Sequence, residues 1–436
     1  MIRSVKLYNF KSFTDAEMSF GDVSVVVGAN GAGKSNLFDA LRFLKAIGDG
    51  RSVRDAIEGH ATPLATTVIV QGVRGGAESI VHFNSKSREF ALTVKLLVEQ
   101  DIIEYFVRID AARYRVVQEE LKSQLHPGSY VFSTKPETGP LEQDPESPVV
   151  IARFYKETKG LNPRREFSSH EFILSQFTSR RAESRLNEAV AEAAREEFSS
   201  IRPLELRPEV LRQYSPVGRS ELGEHGENFA AVVWQLSRKA EFEDIQRRLE
   251  AQHGRNVQRS PAQDRLHTVV SWLSELTPRA VSSIGVESSP TGEVIFAVTE
   301  EPFEQSIPAP SLSDGTLRFA AFVLAAIGTE GRQTLVIEEI ENGINPARLA
   351  LLIRMLEQAT EGSSAVQVIA STHSPSVLQY ASKKTIDSSL VIGWDADGCR
   401  SRPVSIKDLP EIEQILSSTA IADLQSEGWL QQAADV

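Results

Sequence analysis

One run near the N-terminus has the residue types and the spacing needed to hold a chain of phosphates. Gly28-Ala29-Asn30-Gly31-Ala32-Gly33-Lys34-Ser35 follows the valine-rich run Val23 to Val27 and opens a segment of helical apolar periodicity that stops at Gly48. Glycines let backbone N–H groups turn inward, and the N-terminus of the following helix adds partial positive charge. Lys34 is then expected to reach the β- and γ-phosphates, and the Ser35 hydroxyl to ligate Mg²⁺. The pattern G-x-x-x-x-G-K-[ST], between a strand and a helix, predicts a site for a nucleoside triphosphate.

Two carboxylates follow a second apolar run and supply groups that such a site needs for hydrolysis. Thr334-Leu335-Val336-Ile337 is predicted to be a buried strand, and Glu338 and Glu339 come directly after it. A carboxylate at the C-terminal tip of a strand beside a phosphate loop can hold Mg²⁺ directly or through water, a role we assign to Glu338. The next carboxylate can orient and polarise an attacking water, a role we assign to Glu339. The alternative is an acidic strand end that caps a helix or faces solvent.

Two shorter motifs add to the candidate site. Leu312-Ser313-Asp314-Gly315-Thr316 precedes a helical segment, so Ser313 and Gly315 would offer a hydroxyl and a backbone N–H to an anion. Ser-Asp-Gly is also common in plain turns and caps. Ser371-Thr372-His373-Ser374-Pro375 closes another buried run, and His373 can there donate to a γ-phosphate and sense its loss.

Composition limits the class of protein. The chain has 436 residues, of which 41% are hydrophobic and 24% charged, and this is typical of a soluble globular protein. No apolar run reaches the length of a membrane helix, and the N-terminus lacks the apolar core of a signal peptide. The single cysteine, Cys399, excludes an intrachain disulfide and a Cys-x-x-Cys zinc site. A formal net charge of −12 argues against a protein that coats DNA generally, but leaves a local basic groove open. We therefore expect a cytoplasmic protein without a membrane segment.

The order of the predicted elements indicates an α/β fold. Strands are predicted within residues 2–27, and strict alternation at 90–98 and 103–109 predicts half-buried antiparallel strands. Helical patterns at 179–199 and 228–252 sustain no heptads, so we expect core-facing helices of an inserted subdomain. Strand and helix signals then interleave, with a closing strand near Val391 and a helix near Ile412. The predicted division is 1–175 for an N-terminal lobe with the phosphate loop and an antiparallel β block, 176–284 for the inserted, mainly helical subdomain, and 285–436 for a C-terminal lobe.

Five motifs stand in a fixed order along the chain: Asn9-Phe10-Lys11-Ser12-Phe13, Gly28 to Asn36, Leu312 to Thr316, Ile337-Glu338-Glu339-Ile340-Glu341-Asn342-Gly343, and Ser371 to Pro375. Together they resemble the ATP-binding-cassette (ABC) ATPases and, more narrowly, the SMC, RecF and overcoming-lysogenisation-defect branch. The resemblance is good over residues 1–120 and 285–400 and poor in the middle. It implies an ABC-ATPase head, which is a P-loop NTPase with a mixed sheet and an antiparallel β subdomain, plus an inserted helical subdomain. Glu338 departs from the Asp of most relatives, and Asn345 from the His of many.

The resemblance implies a Mg²⁺-dependent ATPase that closes around ATP as a homodimer or a higher even oligomer. Ser313 would be the signature serine, acting on ATP bound by the opposite subunit. A glutamine that reports the γ-phosphate to the inserted subdomain is also implied; Gln176 is the candidate, Gln71 the weaker rival, and an ordinary helix glutamine the alternative. The residues implied to contact ATP are Asn30, Gly31, Ala32, Gly33, Lys34, Ser35, Asn36, Gln176, Ser313 and Gly315, with Ser35 and Glu338 holding Mg²⁺ and Glu339 and His373 catalytic.

Within that branch, the chain is similar to standalone ATPases of bacterial anti-phage defence operons, which control a separately encoded, nuclease-like effector. The first alternative is a RecF-like DNA-repair ATPase that binds DNA across the dimer. A transporter ATPase subunit would have its signature much nearer the phosphate loop, and a scaffold that barely hydrolyses ATP would not need both acids and His373. Asp395 and Asp397 could suggest a nuclease metal pair, but Asp-Ala-Asp-Gly after a strand predicts a hairpin turn. We therefore expect any nuclease chemistry in a partner protein.

Overall fold

The chain divides into two compact units that take alternating segments of the sequence. A computed structural model describes residues 1–61, 69–137, 141–144, 146–177, 184–218, 221–252, 261–277, 279–328, 331–361 and 366–409. Unit 1 consists of the described parts of Met1–Arg202, His373–Pro375 and Lys383–Val436, and unit 2 of those of Pro203–Thr372 and Ser376–Ser382. The helix predicted near Ile412 lies outside the described residues.

Both units contain strands and helices. The described strands are β1 (Ile2–Phe10), β2 (Phe13–Ser19), β3 (Val23–Val27), β4 (Gly59–Ala61), β5 (Ile69–Gln71), β6 (Glu89–Val98), β7 (Asp101–Asp110), β8 (Arg115–Ser123), β9 (Phe132–Ser133), β10 (Val149–Phe154), β11 (Arg164–Ser168), β12 (Ile201–Leu204), β13 (Val281–Ser288), β14 (Val294–Glu300), β15 (Ser306–Pro308), β16 (Gln333–Ile337), β17 (Val366–Thr372), β18 (Leu390–Asp395) and β19 (Arg400–Ser405). The described helices are α1 (Lys34–Gly48), α2 (Val53–Glu58), α3 (Gly76–Ser79), α4 (Ile173–Gln176), α5 (Arg185–Ser199), α6 (Pro208–Leu211), α7 (Phe229–Gln252), α8 (Pro261–Leu276), α9 (Asp314–Ile327), α10 (Pro346–Ala359) and α11 (Lys383–Asp387).

An antiparallel sheet in unit 1 carries the helix that follows the phosphate loop. Its strand order is β11-β10-β9-β8-β7-β6-β1-β2. The two alternating segments predicted from the sequence are confirmed as the β6–β7 ladder, in which Leu92 lies opposite Val107. Phe90 of β6 packs edge to face against Phe43 of α1, with ring centroids 5.4 Å apart. Burial of these two rings fixes α1 on the sheet.

The strand before the phosphate loop belongs to a second sheet. β3 pairs in parallel with β18, and Val26 lies opposite Leu390. β18 turns back into the antiparallel β19 through a hairpin in which Asp395 lies opposite Arg400, so the predicted hairpin is confirmed. The sheet is therefore mixed, as predicted. Backbone hydrogen bonds join β18 to β3 and β19 to β18, and these C-terminal strands belong to unit 1.

Unit 2 combines helices with two groups of strands. β12, β16 and β17 are neighbours in that order, and β16 pairs in parallel with β17, with Leu335 opposite Val368. β13, β14 and β15 form a separate antiparallel sheet. α8 contacts both α7 and α9. The parallel pair places the ends of β16 and β17 at one edge, where the predicted acids and the predicted histidine follow.

The two helices predicted in the middle of the chain fall in different units. α5 lies in unit 1 and is core-facing, with Phe198 packed against Tyr105 of β7 at 5.3 Å between ring centroids. α7 lies in unit 2, and only its first half is core-facing, since Phe242, Ile245 and Leu249 expose 61%, 58% and 53% of their surface. Residues 179–183 of the first predicted helix lie outside the described part. Of the helices that the structure describes, none combines the length and the apolar character needed to cross a membrane.

A buried carboxylate ties β8 to α4. Glu119 is fully buried and accepts hydrogen bonds from the backbone N–H groups of Ile173 (2.7 Å) and Leu174 (2.8 Å) and from the Tyr105 hydroxyl (3.1 Å). Burial raises the pKa of Glu119 to about 7, although the three donors favour the ionised form. This carboxyl therefore changes its charge near neutral pH inside the core.

We expect Glu119 to make the fold less stable as pH rises through neutrality. Because its pKa is higher in the folded chain, the folded state binds the proton more tightly, and this stabilisation is lost as pH rises through the folded pKa. Between about pH 5.5 and about pH 8 the free energy of unfolding should fall by about 2 kcal/mol from this group. Urea unfolding measures the effect, which Glu119→Gln should remove and the control Glu120→Gln should retain. The same pH dependence in all three chains would contradict the assignment.

Candidate functional site

Glycines shape the phosphate loop between β3 and α1. Gly31 has φ = 81° and Gly33 has φ = 110°, left-handed values that other residues rarely adopt. The Ala32 N–H donates to the Ala29 carbonyl at 3.2 Å and closes the turn. A Cβ added at Gly31 would meet no atom within 4 Å, so the loop is open on that side. The predicted strand–loop–helix arrangement is present, with a backbone cradle ahead of the N-terminus of α1.

Two serines brace the loop on the side of Gly33. Ser401 Oγ of β19 donates to the Ala32 carbonyl at 2.6 Å and also lies 2.6 Å from Ser12 Oγ. Asn36 Nδ2 of α1 donates to Ser12 Oγ at 2.7 Å. A Cβ on Gly33 would overlap the Ser401 hydroxyl and lie 2.8 Å from Ser12 Oγ. Position 33 therefore requires glycine for two reasons: its φ is left-handed, and the two serine hydroxyls leave no room for a Cβ.

Lys34 and Ser35 stand at the start of α1. The Lys34 side chain is largely buried, and its Nζ donates to the Gly28 carbonyl at 2.5 Å and the Ala29 carbonyl at 3.0 Å. Ser35 is exposed, and its carbonyl accepts a hydrogen bond from Arg74 Nη2 at 2.6 Å. The ammonium thus lies against the loop backbone, and the serine hydroxyl belongs to a residue that solvent can reach.

A cluster of charges around one buried carboxylate fixes the first turns of α1. Asp39 is fully buried, and its carboxylate lies 2.6 Å from Lys11 Nζ, 2.8 Å from Arg74 Nε and 3.2 Å from Arg42 Nη1. Three cations around one carboxylate compensate its desolvation. Since Arg74 also binds the Ser35 carbonyl, the cluster connects the Asn9-to-Phe13 motif to the start of α1.

In unit 2 the two acids begin a tight turn after β16. The Glu338 N–H donates to the Leu204 carbonyl at 3.1 Å, which continues the sheet to this residue. Glu339 is exposed and has a left-handed φ of 50°, which is uncommon for glutamate. Ser371 holds this conformation, because its Oγ accepts from the Glu339 N–H and its carbonyl from the Ile340 N–H, both at 3.0 Å. Asn342 Nδ2 lies 3.4 Å from Glu339 Oε2. Strained backbone of this kind is characteristic of functional sites.

The segment Leu312 to Thr316, here called the signature turn, caps the N-terminus of α9 through Ser313. Ser313 is exposed, and its Oγ accepts a hydrogen bond from the Thr316 N–H at 3.2 Å, so it is the N-cap of a 14-residue helix. Arg212 holds the turn, since its Nη2 donates to the Leu312 carbonyl at 2.8 Å and pairs with Asp314 Oδ1 at 2.5 Å. Ser313 thus stands at the helix N-terminus predicted for an anion.

Arg318 joins the signature helix to the acidic turn. From α9, its guanidinium donates to the Leu206 carbonyl at 2.5 Å and to the Asn342 carbonyl. The residue is 9% exposed, and burial lowers its pKa from the ordinary arginine value. A Cβ at Gly315 would lie 3.1 Å from the Gly343 carbonyl, so the two turns also approach closely through their backbones. The tandem acids and the signature turn are therefore one packed assembly inside unit 2.

The remaining predicted residues have different surroundings. His373 is exposed and directly follows β17. It belongs to unit 1, which also contains the loop residues from Asn30 to Asn36. Unit 2 contains Ser313, Gly315, Glu338 and Glu339. Gln176, predicted to sense the γ-phosphate, has main-chain partners at both ends of its amide. Its Oε1 accepts from the Ser168 N–H, and its Nε2 donates to the Ser168 and Glu171 carbonyls, all at 3.1 Å. Both ends of the amide hold a turn of the main chain, which is the ordinary structural glutamine considered as the alternative.

Sequence reasoning did not assign roles to several residues that hold the site, among them Ser12, Ser371, Ser401 and Arg318. Ser12 and Ser371 lie within predicted motifs, so their place in the sequence could have indicated that they help to hold the site. Ser401 and Arg318 carry no local signal, because each binds a carbonyl that is distant in the sequence, that of Ala32 and that of Leu206 respectively.

A family comparison fits this geometry. The sequence model of the family AAA_21, described as "AAA domain, putative AbiEii toxin, Type IV TA system", matches residues 23–379. The chain belongs to the AAA_21 family. The match includes the phosphate loop, the signature turn, both acids and His373.

Individual proteins place this AAA_21 chain near the SMC ATPases. It is 25% identical over 296 residues to the chromosome partition protein Smc of Coxiella burnetii, which is 63% of this chain and 23% of that protein. The chain thus spans about a quarter of that relative's length. It is also similar to the Smc head in a crystal structure with the C-winged helix domain of ScpA, at 14% identity and a TM-score of 0.52, covering 93% of this chain and 98% of that one. The AAA_21 chain therefore has the predicted ABC-ATPase head fold and is similar in sequence to an SMC protein.

Gly33 and Gly31 provide a matched test of the braced loop. Alanine at either position carries the strain of a left-handed φ, but only at Gly33 does the new methyl group meet Ser401 and Ser12. We expect Gly33→Ala to lower the free energy of unfolding by about 1–3 kcal/mol more than Gly31→Ala. Urea unfolding of both variants measures the difference, and adding Ser401→Gly should narrow it. Equal losses in the two variants would show that the serines do not restrict the loop.

Proposed function

We propose that this protein binds ATP and hydrolyses it with Mg²⁺. The observation that carries the proposal is the loop from Gly28 to Ser35, whose left-handed glycines form a backbone cradle at the N-terminus of α1. Backbone N–H groups at such a position bind phosphate, and the helix adds a favourable dipole. Lys34 Nζ, which binds two loop carbonyls, can exchange these acceptors for phosphate oxygens with little movement of its stem.

The chain's own residues supply groups that suit Mg²⁺. The Ser35 hydroxyl and the Glu338 carboxylate are oxygen ligands, the type that Mg²⁺ prefers, and Ser35 is open to solvent. When bound, the ion would neutralise charge that develops on the phosphate oxygens. Glu339 then acts on the attacking water: its exposed carboxylate accepts a proton or orients the water, while the Ser371 contact fixes its backbone. His373, at the tip of β17, would donate to the γ-phosphate.

Two substitutions separate binding from hydrolysis. Lys34→Ala removes the charged donor of the cradle and should abolish ATP binding, as measured by isothermal titration. Glu339→Gln keeps the shape of the acid but not its basicity, so ATP should still bind while steady-state hydrolysis falls by at least about 100-fold. Glu341→Gln, on the same turn, is the control and should hydrolyse ATP at the wild-type rate. Unchanged turnover in Glu339→Gln would mean that another group activates the water.

We further propose that ATP closes a homodimer in which Ser313 of one subunit serves the ATP of the other. Ser313 is exposed at the N-terminus of a long helix, so its hydroxyl and the first N–H groups of α9 can donate to a phosphate on a second chain. The contacts of Arg318 would pass closure from the signature helix to the turn that holds Glu339.

Mixing two inactive variants tests this arrangement. Lys34→Ala and Ser313→Arg each damage both composite sites of a homodimer, whereas a mixed dimer contains one site with both residues intact. If chains exchange at random and sites act independently, the mixture should recover roughly a quarter of wild-type hydrolysis. Wild-type chains mixed with either variant calibrate subunit exchange. No recovery from two folded, exchanging variants would contradict action across the interface.

The closed state would act on a separate effector in anti-phage defence, and that effector would be nuclease-like. The family description names a toxin and a toxin–antitoxin system, and the similar Smc head binds a winged-helix domain of another protein. Asp395 is one of the two acids that could suggest a nuclease metal pair. Its carboxylate instead binds within the hairpin, accepting from the Gly398 N–H at 2.8 Å and from Arg400 Nε at 2.9 Å. The hydrogen bond from the Gly398 N–H lowers the pKa of Asp395 most, and the hydrogen bond from Arg400 lowers it further. These contacts support placing nuclease chemistry in the partner.

A further inference from the structure

We propose that Trp394 forms a subsite for the base of the nucleotide, on which a purine ring stacks. The inference rests on the proposed binding of ATP at the phosphate loop and names the part of the chain that recognises the nucleoside. Its starting point is a pocket of about 360 Å³ inside unit 1, lined by loop residues 29–32 and by β18 residues 392–394. The phosphate cradle and the tryptophan thus share one cavity.

Backbone pairing places the end of β18 beside the loop. β3 and β18 run in parallel, so their carboxyl ends lie at the same edge, where the loop leaves β3. The two chains approach so closely that a Cβ on Gly28 would lie 2.6 Å from the Ile392 carbonyl. In open α/β sheets, ligands bind in the crevice at the carboxyl ends of parallel strands. Trp394 is the first large side chain after this close approach.

The cross-strand partner of Trp394 fixes the side on which the ring lies. Trp394 lies opposite Ser401 in the β18–β19 ladder, and directly opposed residues project from the same face. Ser401 uses that face to donate to the Ala32 carbonyl of the loop at 2.6 Å. The hairpin is held in turn by Asp395 with Arg400 and by His82, whose Nε2 lies 3.0 Å from the Cys399 carbonyl. The indole of Trp394 is therefore part of a hairpin that several hydrogen bonds hold next to the phosphate loop.

The chemistry of the pocket suits a flat aromatic ring. Trp394 exposes 38% of its surface, although burying a tryptophan is favourable. None of the seven lining residues carries a charge. Stacking on an aromatic side chain recognises any base through its face and favours purines, which offer the larger face. A triphosphate in the cradle would bring its nucleoside to a neutral pocket with one aromatic wall.

A comparison of ATP with inorganic tripolyphosphate tests the subsite, since tripolyphosphate has the phosphates and no base. Trp394→Ala should weaken ATP binding by about 5- to 160-fold and leave tripolyphosphate binding unchanged, because base stacking on an aromatic residue has this magnitude. Trp394→Phe keeps an aromatic face and should retain most of the ATP affinity. Lys34→Ala should lose both ligands, and Trp234→Phe on α7 is the control that should lose neither. Isothermal titration gives all the affinities.

Three outcomes would overturn the subsite, and each is distinct. Equal losses for ATP and tripolyphosphate in Trp394→Ala would show a general effect on the loop. Wild-type protein that binds tripolyphosphate as tightly as ATP would have a phosphate site without a base site. Wild-type protein that binds neither would contradict ATP binding itself, and the subsite with it.

Fluorescence gives a second readout that does not need the alanine variant to fold. The chain has four tryptophans, and Trp234→Phe, Trp272→Phe and Trp429→Phe together leave Trp394 as the only one. ATP should change the emission of this chain, and tripolyphosphate should not, because only a stacked base contacts the indole. An identical response to both ligands, or to neither at saturation, would contradict the proposal.

Discussion

The conformation of Gly33 is the constraint on which the nucleotide-binding part of the chain depends. With φ = 110° and no room for a Cβ, this residue lets the backbone turn from β3 into α1 while Ser12 and Ser401 close in behind it. The contact requires β19 to lie against the loop, and β19 is there because its hairpin partner β18 pairs with β3. One glycine, two hydroxyls and a parallel strand pair thus determine where a phosphate cradle can form.

At three motifs an arginine side chain holds a main-chain carbonyl and a second group at the same time. Arg74 binds the Ser35 carbonyl at the start of α1, Arg212 binds the Leu312 carbonyl before the signature turn, and Arg318 binds the Asn342 carbonyl after the acids. A guanidinium offers several donors in a rigid plane, so it can hold a carbonyl and another group at the same time. Each arginine does so, through Asp39, Asp314 and Leu206 respectively. Backbone carbonyls at the first turn of α1, before the Ser313 turn and after the tandem acids are therefore held by charge-assisted hydrogen bonds.

The glutamine chosen from the motif order shows what residue type and position leave open. Gln176 lies in the expected stretch of the chain, and both ends of its amide bind main-chain groups of Ser168 and Glu171. An amide can satisfy main-chain groups or face a ligand, and its type alone does not decide between them. The fold around it also involves Glu119, whose buried carboxylate caps the same short helix from a strand about 50 residues earlier in the chain.

The sequence by itself determined the elements that depend on local pattern. Period-two alternation gave β6 and β7, the valine-rich run and the glycines gave β3 and the loop, and the order of five motifs gave the ATPase head fold. The tertiary structure decided what depends on partners distant along the chain: the pairing of β18 with β3, the brace from Ser401, the link through Arg318, and the separation of α5 from α7 into different units. The physical reason is that periodicity and backbone propensity act over a few residues, whereas a hydrogen bond to a carbonyl hundreds of residues away exists only once both segments have been packed together.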